Sequence, residues 1–322
     1  MKQYAIGVDL GGTNIKAGLV DADHHIVDSV SCKTNLPRPR EEVEQAIAGL
    51  CEELCRRAGL SISEDISSVG IGTPGSVNSE SGIVEFNANF NYRDWHLVEA
   101  MEALLPCHVY IENDANAAAY GEYIAGAARG ARYAVAITLG TGIGGGVIID
   151  GKIFSGFNSA GAELGHTVIE KGGRPCNCGR RGCWERYASA RALTEDTRAA
   201  MRRNPDNMMW QSVGGDLERV NAKTAFDAMR AGDALGAQLV EDYIDYVACG
   251  LTNVINIFQP EIICIGGGVS KEGESLLERI RTIVDREDYA RDSVRRTKIV
   301  VAQLRNDAGT IGAAGLAAQH DA

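Results

Sequence analysis

Residues 4–21 read YAIGVDLGGTNIKAGLVD, and this stretch decides the class of fold. Two β-rich runs, Tyr4–Asp9 and Lys16–Val20, lie on either side of the tight turn Gly11–Gly12. A third run, His25–Ser31, follows closely. Short β-rich runs joined by glycine turns are typical of neighbouring antiparallel strands. The sequence therefore predicts that the chain begins with a three-stranded antiparallel meander.

Helical patterns alternate with β-rich runs in the rest of the chain. Within Glu41–Ala58, apolar residues recur every three or four positions, as on one face of an amphipathic helix. Two apolar runs, Ser68–Gly72 and His108–Glu112, precede Ala115–Ala128, which is rich in alanine and helical in composition. Alternating strands and helices indicate an α/β fold. Further helices are predicted at residues 190–203, 222–231, 272–284 and 309–319, with a long loop at 204–215.

The strand–turn–strand pattern of residues 10–21 recurs at residues 139–150. The two segments, LGGTNIKAGLVD and LGTGIGGGVIID, align without gaps and share the first leucine, the next glycine and the final aspartate. A third glycine cluster, Gly266–Gly268, follows the apolar run Ile262–Ile265. The repeated pattern predicts two related α/β lobes.

The chain length of 322 residues suits two domains or one large domain. We expect a smaller N-terminal lobe at residues 1–117 and a larger one at residues 118–308. The larger lobe would include a loop at residues 163–185 that a metal ion orders. The C-terminal helix, at about residues 309–322, is expected to pack back on the smaller lobe.

Charge and hydropathy exclude several classes of protein. The chain has 32 Lys and Arg against 43 Asp and Glu, a net charge of −11, and no block of basic residues. This balance argues against a nucleic-acid partner or an anionic membrane surface. No apolar run approaches the roughly 20 residues that span a bilayer, and the first residues lack the apolar core of a signal peptide. A cytoplasmic enzyme is therefore predicted.

The first glycine turn is a candidate phosphate-binding loop. Gly11 and Gly12 let the backbone approach a phosphate closely, and the hydroxyl of Thr13 can donate a hydrogen bond to it. Asp9 would hold Mg²⁺ through water. The alternative is a plain hairpin turn, in which Gly-Gly is common.

The second glycine turn, Gly140-Thr141-Gly142, lies in a sequence that formally matches the dinucleotide-binding pattern G-x-G-x-x-G. That pattern requires a helix to follow, whereas the residues that follow resemble a strand. Because this turn echoes the first one, we predict two loops that hold one triphosphate from opposite sides.

The segment Glu112-Asn113-Asp114-Ala115-Asn116 lies between a β-rich run and a helix. Asp114 could accept the proton of a substrate hydroxyl while Asn113 fixes the sugar beside it. Phosphoryl transfer depends more on positioning than on base strength, so an ordinary carboxylate suffices. The alternative is that Asp114 or Asn116 is simply a helix N-cap.

His166, Cys176, Cys178 and Cys183 follow the spacing H-x₉-C-x-C-x₄-C. Three thiolates and one imidazole suit tetrahedral Zn²⁺. The polar segment 172–182 cannot build its own core, so a metal would order it. Four protein ligands close the site, which makes the role of the metal structural. A labile disulfide or free thiols are the alternatives.

Two acidic residues flank these ligands, because Glu163 precedes His166 by three positions and Glu185 follows Cys183 by two. Metal binding would bring both carboxylates to one place, where they could accept hydrogen bonds from vicinal hydroxyls; the alternative is surface charge. Asn87 and Asn89 lie in an aromatic, amide-rich loop that also suits a sugar, although loop asparagines usually just form turns.

Together these motifs resemble the ROK family (repressor, open reading frame, kinase) of sugar kinases over essentially the whole chain, and most closely its bacterial glucokinases. The resemblance rests on the segments at residues 9–13, 72–75, 112–114, 139–142, 163–166, 176–185 and 266–269. It implies a two-lobed, actin-like ATPase (ribonuclease H-like) fold with a small zinc loop. It also implies ATP as the phosphoryl donor and a homodimer, or a higher homo-oligomer.

The resemblance also implies roles for individual residues, with Asp114 as the catalytic base. The implied sugar contacts are Gly75, Asn89, Asn113, Asp114, Glu163, His166 and Glu185. The implied nucleotide and magnesium contacts are Asp9, Gly11, Gly12, Thr13, Gly140, Thr141, Gly142, Gly267 and Gly268. The implied zinc ligands are His166, Cys176, Cys178 and Cys183.

The expected reaction is ATP-dependent phosphorylation of the 6-hydroxyl of D-glucose, which yields glucose 6-phosphate for glycolysis. The alternatives are a kinase for mannose, fructose, N-acetylglucosamine or allose, a sugar-responsive repressor of the same family, and an actin-like ATPase without a sugar. The first strand begins at Tyr4, which leaves no room for the repressors' N-terminal helix-turn-helix. Family glucokinases often carry Asn-Leu-x-Trp where this chain has Asn89-Phe90-Asn91-Tyr92, so Tyr92 is expected to replace the packing of the indole.

Overall fold

A computed structural model describes residues 2–87 and 89–320 of the chain. The strands are β1 Tyr4–Leu10, β2 Asn14–Asp21, β3 Ile26–Lys33, β4 Ile66–Thr73, β5 Ser76–Asn78, β6 Ile83–Asn87, β7 Tyr92–Trp95, β8 His108–Asn113, β9 Tyr133–Leu139, β10 Ile143–Ile149, β11 Lys152–Ile153, β12 Ile262–Gly266 and β13 Lys298–Val301. The helices are α1 Arg40–Ala58, α2 Ile62–Asp65, α3 Leu97–Leu104, α4 Asp114–Ile124, α5 Glu185–Ala188, α6 Ala190–Arg203, α7 Met209–Ser212, α8 Ala222–Arg230, α9 Ala234–Phe258, α10 Glu274–Glu287, α11 Ala308–Ala314 and α12 Ala317–His320.

The first sheet has the strand order β3-β2-β1-β4-β8. Strands β1, β2 and β3 are antiparallel neighbours, which confirms the predicted meander. Strands β4 and β8 extend the sheet in parallel with β1. The register pairs Asp9 with Gly72 and Gly72 with Glu112. The carboxyl ends of β1, β4 and β8 therefore lie side by side, at the edge where open α/β sheets bind ligands.

A second sheet, β11-β10-β9-β12-β13, repeats this plan, and β5, β6 and β7 form a small antiparallel sheet. In the second sheet, β9 and β10 take the places of β1 and β2, and β12 and β13 are parallel. The sequence echo between residues 10–21 and 139–150 thus reflects a repeated strand order. A strand follows Gly140–Gly142, as predicted, rather than the helix of a dinucleotide-binding fold.

Contacts divide the chain into two compact units. The first comprises the described residues within Met1–Ala136, Gly146–Ala162 and Ala302–Ala322, and the second comprises Ile137–Gly145 and Glu163–Val301. The lobe boundary expected at residue 117 stays a prediction, although the contacts group residues 118–136 with the first unit. No helix in the described part of the chain has the length and apolar character needed to cross a bilayer.

Helix α11 packs against β1, β4 and α4 almost backbone to backbone. A Cβ atom on Gly7 of β1, Gly70 of β4 or Gly121 of α4 would overlap a backbone oxygen of α11. A Cβ on Gly312 of α11 would overlap a backbone oxygen of α4. Glycine is therefore required at each of these four crossings, because any side chain would push the elements apart.

Three predicted elements differ from the structure. The helix expected at Ala115–Ala128 ends at Ile124, because the Glu122 carboxylate accepts the Ala127 amide (2.8 Å) and the chain turns there. The helix expected at residues 309–319 is broken at Gly315, where α11 meets Ile124 and ends. The loop expected at residues 204–215 contains α7, which is held by the fully buried Met209.

We predict that Gly312→Ala destabilises the protein and that Gly49→Ala does not. The methyl group at residue 312 overlaps backbone atoms, and overpacking of this kind costs about 1–3 kcal/mol or more. Gly49 lies within α1, and a methyl group there would have no atom within 4 Å, so alanine should add about 0.5–1 kcal/mol of helix stability. Urea unfolding of both variants measures the difference. Equal stability of the two variants would contradict the packing described for α11.

Candidate active site

The edge of the first sheet carries a cluster of acidic and amide side chains. Asp9 lies near the end of β1, Glu112 and Asn113 end β8, and Asp114 begins α4. Burial raises the pKa of the Asp114 carboxyl above its usual range. The pKa of Asp9 is also raised, first by burial and then by the charge of Asp114, while Lys16 opposes this shift. Two carboxylates that carry raised pKa values at one sheet edge mark it as a candidate active site.

Asn113, rather than Asp114 or Asn116, caps helix α4. Its side-chain oxygen accepts the amides of Ala115 (2.9 Å) and Asn116 (3.3 Å). Its amide nitrogen donates to the carbonyl of Gly75 at 3.1 Å. The alternative that Asp114 or Asn116 is the N-cap is therefore wrong, because Asn113 caps the helix. The Asp114 carboxylate accepts only the Ala115 amide (2.9 Å) among the described residues, which leaves its other oxygen available.

The turn between β1 and β2 is closed on one side and open on the other. The Gly11 amide donates to the carbonyl of Asn14 (3.0 Å), and the Thr34 hydroxyl donates to the carbonyl of Gly11 (2.7 Å). Among the described residues, a Cβ on Gly12 would come within 4 Å of the Asn89 side chain alone, at 3.8 Å, and Thr13 is exposed. The open side of this turn could receive a phosphate group.

Asn87 and Asn89 have different roles in the structure. Asn87 ends β6 and is fully buried; it donates to the carbonyl of Pro74 (2.7 Å) and accepts the Asn89 amide (3.0 Å). The loop predicted around these residues is thus the end of a strand and a tight turn, with Ala88 outside the described residues. Gly75 has φ +108°, and a Cβ there would overlap the carbonyl of Phe86. Asn87 therefore supports this region, whereas Asn89 is exposed near Gly12.

Tyr92 belongs to a buried aromatic cluster. Its ring centroid lies 5.1 Å from that of Trp95, edge to face, and 5.5 Å from that of Phe90. The Tyr92 hydroxyl donates to the carbonyl of Arg38. The tyrosine thus packs against Phe90, the residue that follows Asn89 in the chain. Its replacement of an indole stays a prediction.

In the second unit, two glycine turns follow β9 and β12. Gly267 has φ +85°, and a Cβ there would overlap the backbone of Leu139, directly before the 140–142 turn. No atom lies close to a Cβ placed on Gly140 or Gly268, the nearest being 4.0 Å away. Both turns therefore present open backbone, as a phosphate-binding loop requires.

The turn of residues 163–166 and the side chain of Glu185 both lie against the start of β10. A Cβ on Gly165, in the turn between Glu163 and His166, would overlap the carbonyl oxygen of Ile143. On the other side, the Glu185 carboxylate accepts the Ile143 amide at 3.0 Å. The structure thus brings the turn that carries Glu163 and His166, and the carboxylate of Glu185, to the same residue of β10. The alternative of unconnected surface charge does not describe Glu185, which is half-buried.

His166, Cys176, Cys178 and Cys183 place their ligand atoms within 4.8 Å of one another. The Cys178 and Cys183 sulfurs are 3.6 Å apart, and Nδ1 of His166 is 3.6 Å from the sulfur of Cys176. Tetrahedral zinc, with bonds of about 2.3 Å to sulfur and 2.0–2.1 Å to nitrogen, places neighbouring ligand atoms about 3.5–3.8 Å apart. The spacing therefore fits a four-coordinate metal and is much longer than a disulfide bond of about 2.05 Å.

Trp184, which sequence reasoning did not single out, anchors this cluster. Its ring is fully buried against Gly250 of α9, where a Cβ would overlap the indole, and its Nε1 donates to the carbonyl of Tyr246 (2.8 Å). Because Trp184 lies between Cys183 and Glu185, it fixes both. Its position in the cysteine motif gave no signal, since its partners are more than 60 residues away.

Nearly the whole chain matches one family of known proteins, since residues 5–320 match the ROK family. The chain belongs to the ROK family. A glucokinase of Thermotoga maritima is 41% identical over 319 residues, which cover 98% of this chain and 97% of that protein.

Two solved ROK structures resemble this one throughout. A ROK family glucokinase from Streptomyces griseus, in complex with glucose and AMPPNP, has a TM-score of 0.80 and 36% identity, with 98% of this chain and 99% of that chain covered. A ROK hexokinase from Thermus thermophilus has a TM-score of 0.81 and 32% identity, with 97% and 96% covered. The expected family and its α/β fold are therefore confirmed.

Proposed function

We propose that this ROK protein is an ATP-dependent glucokinase that transfers the γ-phosphoryl group of ATP to the 6-hydroxyl of D-glucose. The observation that carries the proposal is the half-buried Asp114 carboxylate, which stands beside Asp9 at the carboxyl edge of the first sheet. The glucokinases among its relatives support glucose as the sugar. Such a reaction needs one carboxylate to receive the hydroxyl proton and a second one near the phosphates.

Asp114 would accept the proton of the 6-hydroxyl as the oxygen attacks the γ-phosphorus, while ADP leaves with the β–γ bridging oxygen. Asn89, Asn113 and Gly75 would hold the sugar hydroxyls next to this carboxylate. From the second unit, Glu163, His166 and Glu185 would accept or donate hydrogen bonds to further hydroxyls of the same sugar. Positioning of the hydroxyl beside the carboxylate would supply much of the rate.

The open turns would contact the nucleotide. In the first unit these are Gly11, Gly12 and Thr13, and in the second unit Gly140, Thr141, Gly142, Gly267 and Gly268. Backbone amides in such turns donate to phosphate oxygens without a side chain between them. Asp9 would hold Mg²⁺ through water, and the ion would neutralise charge on the transferring group.

The cluster of His166, Cys176, Cys178 and Cys183 would hold a structural Zn²⁺. The donor set and its spacing support this choice, and the metal would stiffen the segment that carries Glu185. Family resemblance supports a homodimer and a role in glycolysis, and charge and hydropathy support a cytoplasmic location; all three stay predictions.

A coupled assay of ADP release tests the function. Glucose, mannose, fructose, N-acetylglucosamine and allose are compared with a blank that contains no sugar. Glucose should give the highest kcat/KM by about tenfold or more, which is about 1.4 kcal/mol of discrimination. A higher value for another sugar of the panel would change the substrate and leave the phosphoryl transfer in place. No stimulation by any sugar would contradict the kinase function.

We predict that Asp114→Asn retains glucose binding but lowers kcat by at least a hundredfold, because a general base contributes roughly 10²–10⁴ to the rate. An asparagine can still hydrogen-bond the hydroxyl, so the glucose Kd from calorimetry should change little. Asp28→Asn, which removes a surface carboxylate paired with Arg57, is the control and should keep full turnover. A normal kcat in Asp114→Asn would rule out the assigned base.

The raised pKa of Asp114 predicts an early loss of activity in acid. Only the ionised carboxylate can accept the proton, so kcat/KM falls as the pH drops through the pKa of this group. Because burial raises that pKa, the acidic limb should lie above the ordinary aspartate value of about 3.9. A pH profile of kcat/KM measures it, with activity restored at neutral pH as the control for unfolding. A limb at or below the ordinary value would contradict this reasoning.

We also predict that Cys178→Ala loses most of the bound zinc and raises the KM for glucose by about tenfold or more, as expected when the residues around a sugar contact lose their support. Cys32→Ala, which changes a half-buried cysteine of β3 outside the cluster, should retain both properties. Mass spectrometry of the purified proteins gives the metal content. Unchanged zinc in Cys178→Ala would exclude this ligand set.

A further inference from the structure

One segment of the second unit, residues 185–190, holds the 140–143 loop at both ends. At one end, the Ala190 amide donates to the carbonyl of Gly140 (2.8 Å). At the other end, the Ile143 amide donates to Oε2 of Glu185 (3.0 Å). A Cβ on Gly142 would overlap the same carboxylate oxygen. The conformation of a loop assigned to phosphate thus depends on a side chain assigned to the sugar.

Only one of the two carboxylate oxygens of Glu185 is used in this contact. Within residues 2–87 and 89–320, Oε1 has no hydrogen-bond partner, although the side chain is half-buried. A sugar hydroxyl could donate to Oε1 while Oε2 keeps the Ile143 amide. Hydrogen bonds to a charged acceptor are about twice as strong as neutral ones, so each contact would hold the carboxylate firmly for the other.

The backbone that carries this carboxylate is anchored by its neighbours in the chain. Glu185 follows Trp184, whose buried indole is fixed on α9, and it begins helix α5. A change in the position of the carboxylate should therefore alter its hydrogen bond to Ile143, because the backbone of Glu185 is anchored by Trp184.

We propose that Glu185 is a positioning residue for the 140–143 loop as well as a sugar contact, so that sugar and ATP bind cooperatively. The cooperative part rests on the proposed glucokinase function. A hydroxyl bound to Oε1 fixes the carboxylate, the carboxylate fixes the Ile143 amide, and the loop is then ordered for the phosphates. Because coupling between two binding equilibria is reciprocal, bound nucleotide must also tighten the binding of sugar.

Calorimetry of Mg·AMPPNP binding, without sugar and with saturating glucose, tests this inference. In the wild type, glucose should tighten AMPPNP binding by about fivefold or more, the lower end of typical coupling between sites. Glu185→Ala should weaken AMPPNP binding even without sugar, since the Ile143 amide loses its acceptor. Glu185→Gln should restore sugar-free binding, because the amide oxygen can still accept from Ile143. If the loop depended on the negative charge of Glu185 rather than on the hydrogen bond from Ile143, Glu185→Gln would not restore this binding.

A loop variant and a control test the hydrogen bond between Ile143 and Glu185 without changing the carboxylate itself. Gly142→Ala pushes the carboxylate away from Ile143 and should weaken the binding of both glucose and AMPPNP, with loss of their cooperativity. Gly49→Ala, in helix α1 and outside the proposed site, adds a methyl group that meets no described atom within 4 Å, so its glucose and AMPPNP affinities should equal those of the wild type. Gly142→Ala also keeps the test open if Glu185→Ala does not fold.

The inference is overturned if Glu185→Ala binds AMPPNP as tightly as the wild type does without sugar, or if Gly142→Ala and Gly49→Ala bind glucose equally well. A wild type that binds no AMPPNP overturns it too. If the wild type phosphorylates no sugar of the panel, the glucokinase function fails. The sugar-free comparison of the wild type with the two Glu185 variants still decides whether Glu185 holds the loop.

Discussion

Helix α11 meets β1, β4 and α4 backbone to backbone at four glycine positions, and this contact constrains how the first unit packs. Four glycines make it possible, because a Cβ at any of the crossings would overlap backbone atoms. The start of α11 thereby comes next to the active-site edge: a Cβ on Gly309 would lie 3.4 Å from the Asp9 carboxylate. Glu122 of α4 adds two hydrogen bonds, from the amides of Gln303 (3.0 Å) and Leu304 (2.7 Å), just before α11. The same packing that places Asp9 therefore also places α4, which begins with Asp114.

In the second unit, the backbone of Ile143, at the start of β10, contacts both segments that carry predicted sugar contacts. The Ile143 amide donates to Glu185, and its carbonyl lies so close to the turn of residues 163–166 that only glycine fits at position 165. The cysteine cluster and the buried Trp184 set the positions of these two segments. A metal in the cluster would therefore act through geometry, by keeping the turn of residues 163–166 and the Glu185 carboxylate near β10. The cost of losing it should appear as weaker binding of sugar and nucleotide rather than as altered chemistry.

Local patterns predicted much of this structure, and they failed where partners are distant. The glycine turn of residues 11–12 and its echo near residue 140 predicted both hairpins, because strand, turn and strand are encoded by neighbouring residues. Alanine-rich composition overestimated the helix from residue 115, since Glu122 ends it by a contact to Ala127 and to the far C-terminal segment. Asn87 resembled a sugar contact by residue type, but its buried hydrogen bonds make it a support.

By itself, the sequence determined the α/β class, the repeated hairpin, the spacing of the four candidate metal ligands and the family. These depend on periodicity and on the chemistry of residues close together in the chain. Only the tertiary structure decided that Asn113 is the helix cap, that Trp184 anchors the cysteine cluster and that Glu185 accepts the Ile143 amide. Each of these facts depends on a donor and an acceptor, or on two packed surfaces, that the fold brings into contact. The spacing of residues in the sequence does not reveal such pairs, because the burial of a side chain and the direction in which it points depend on the folded chain.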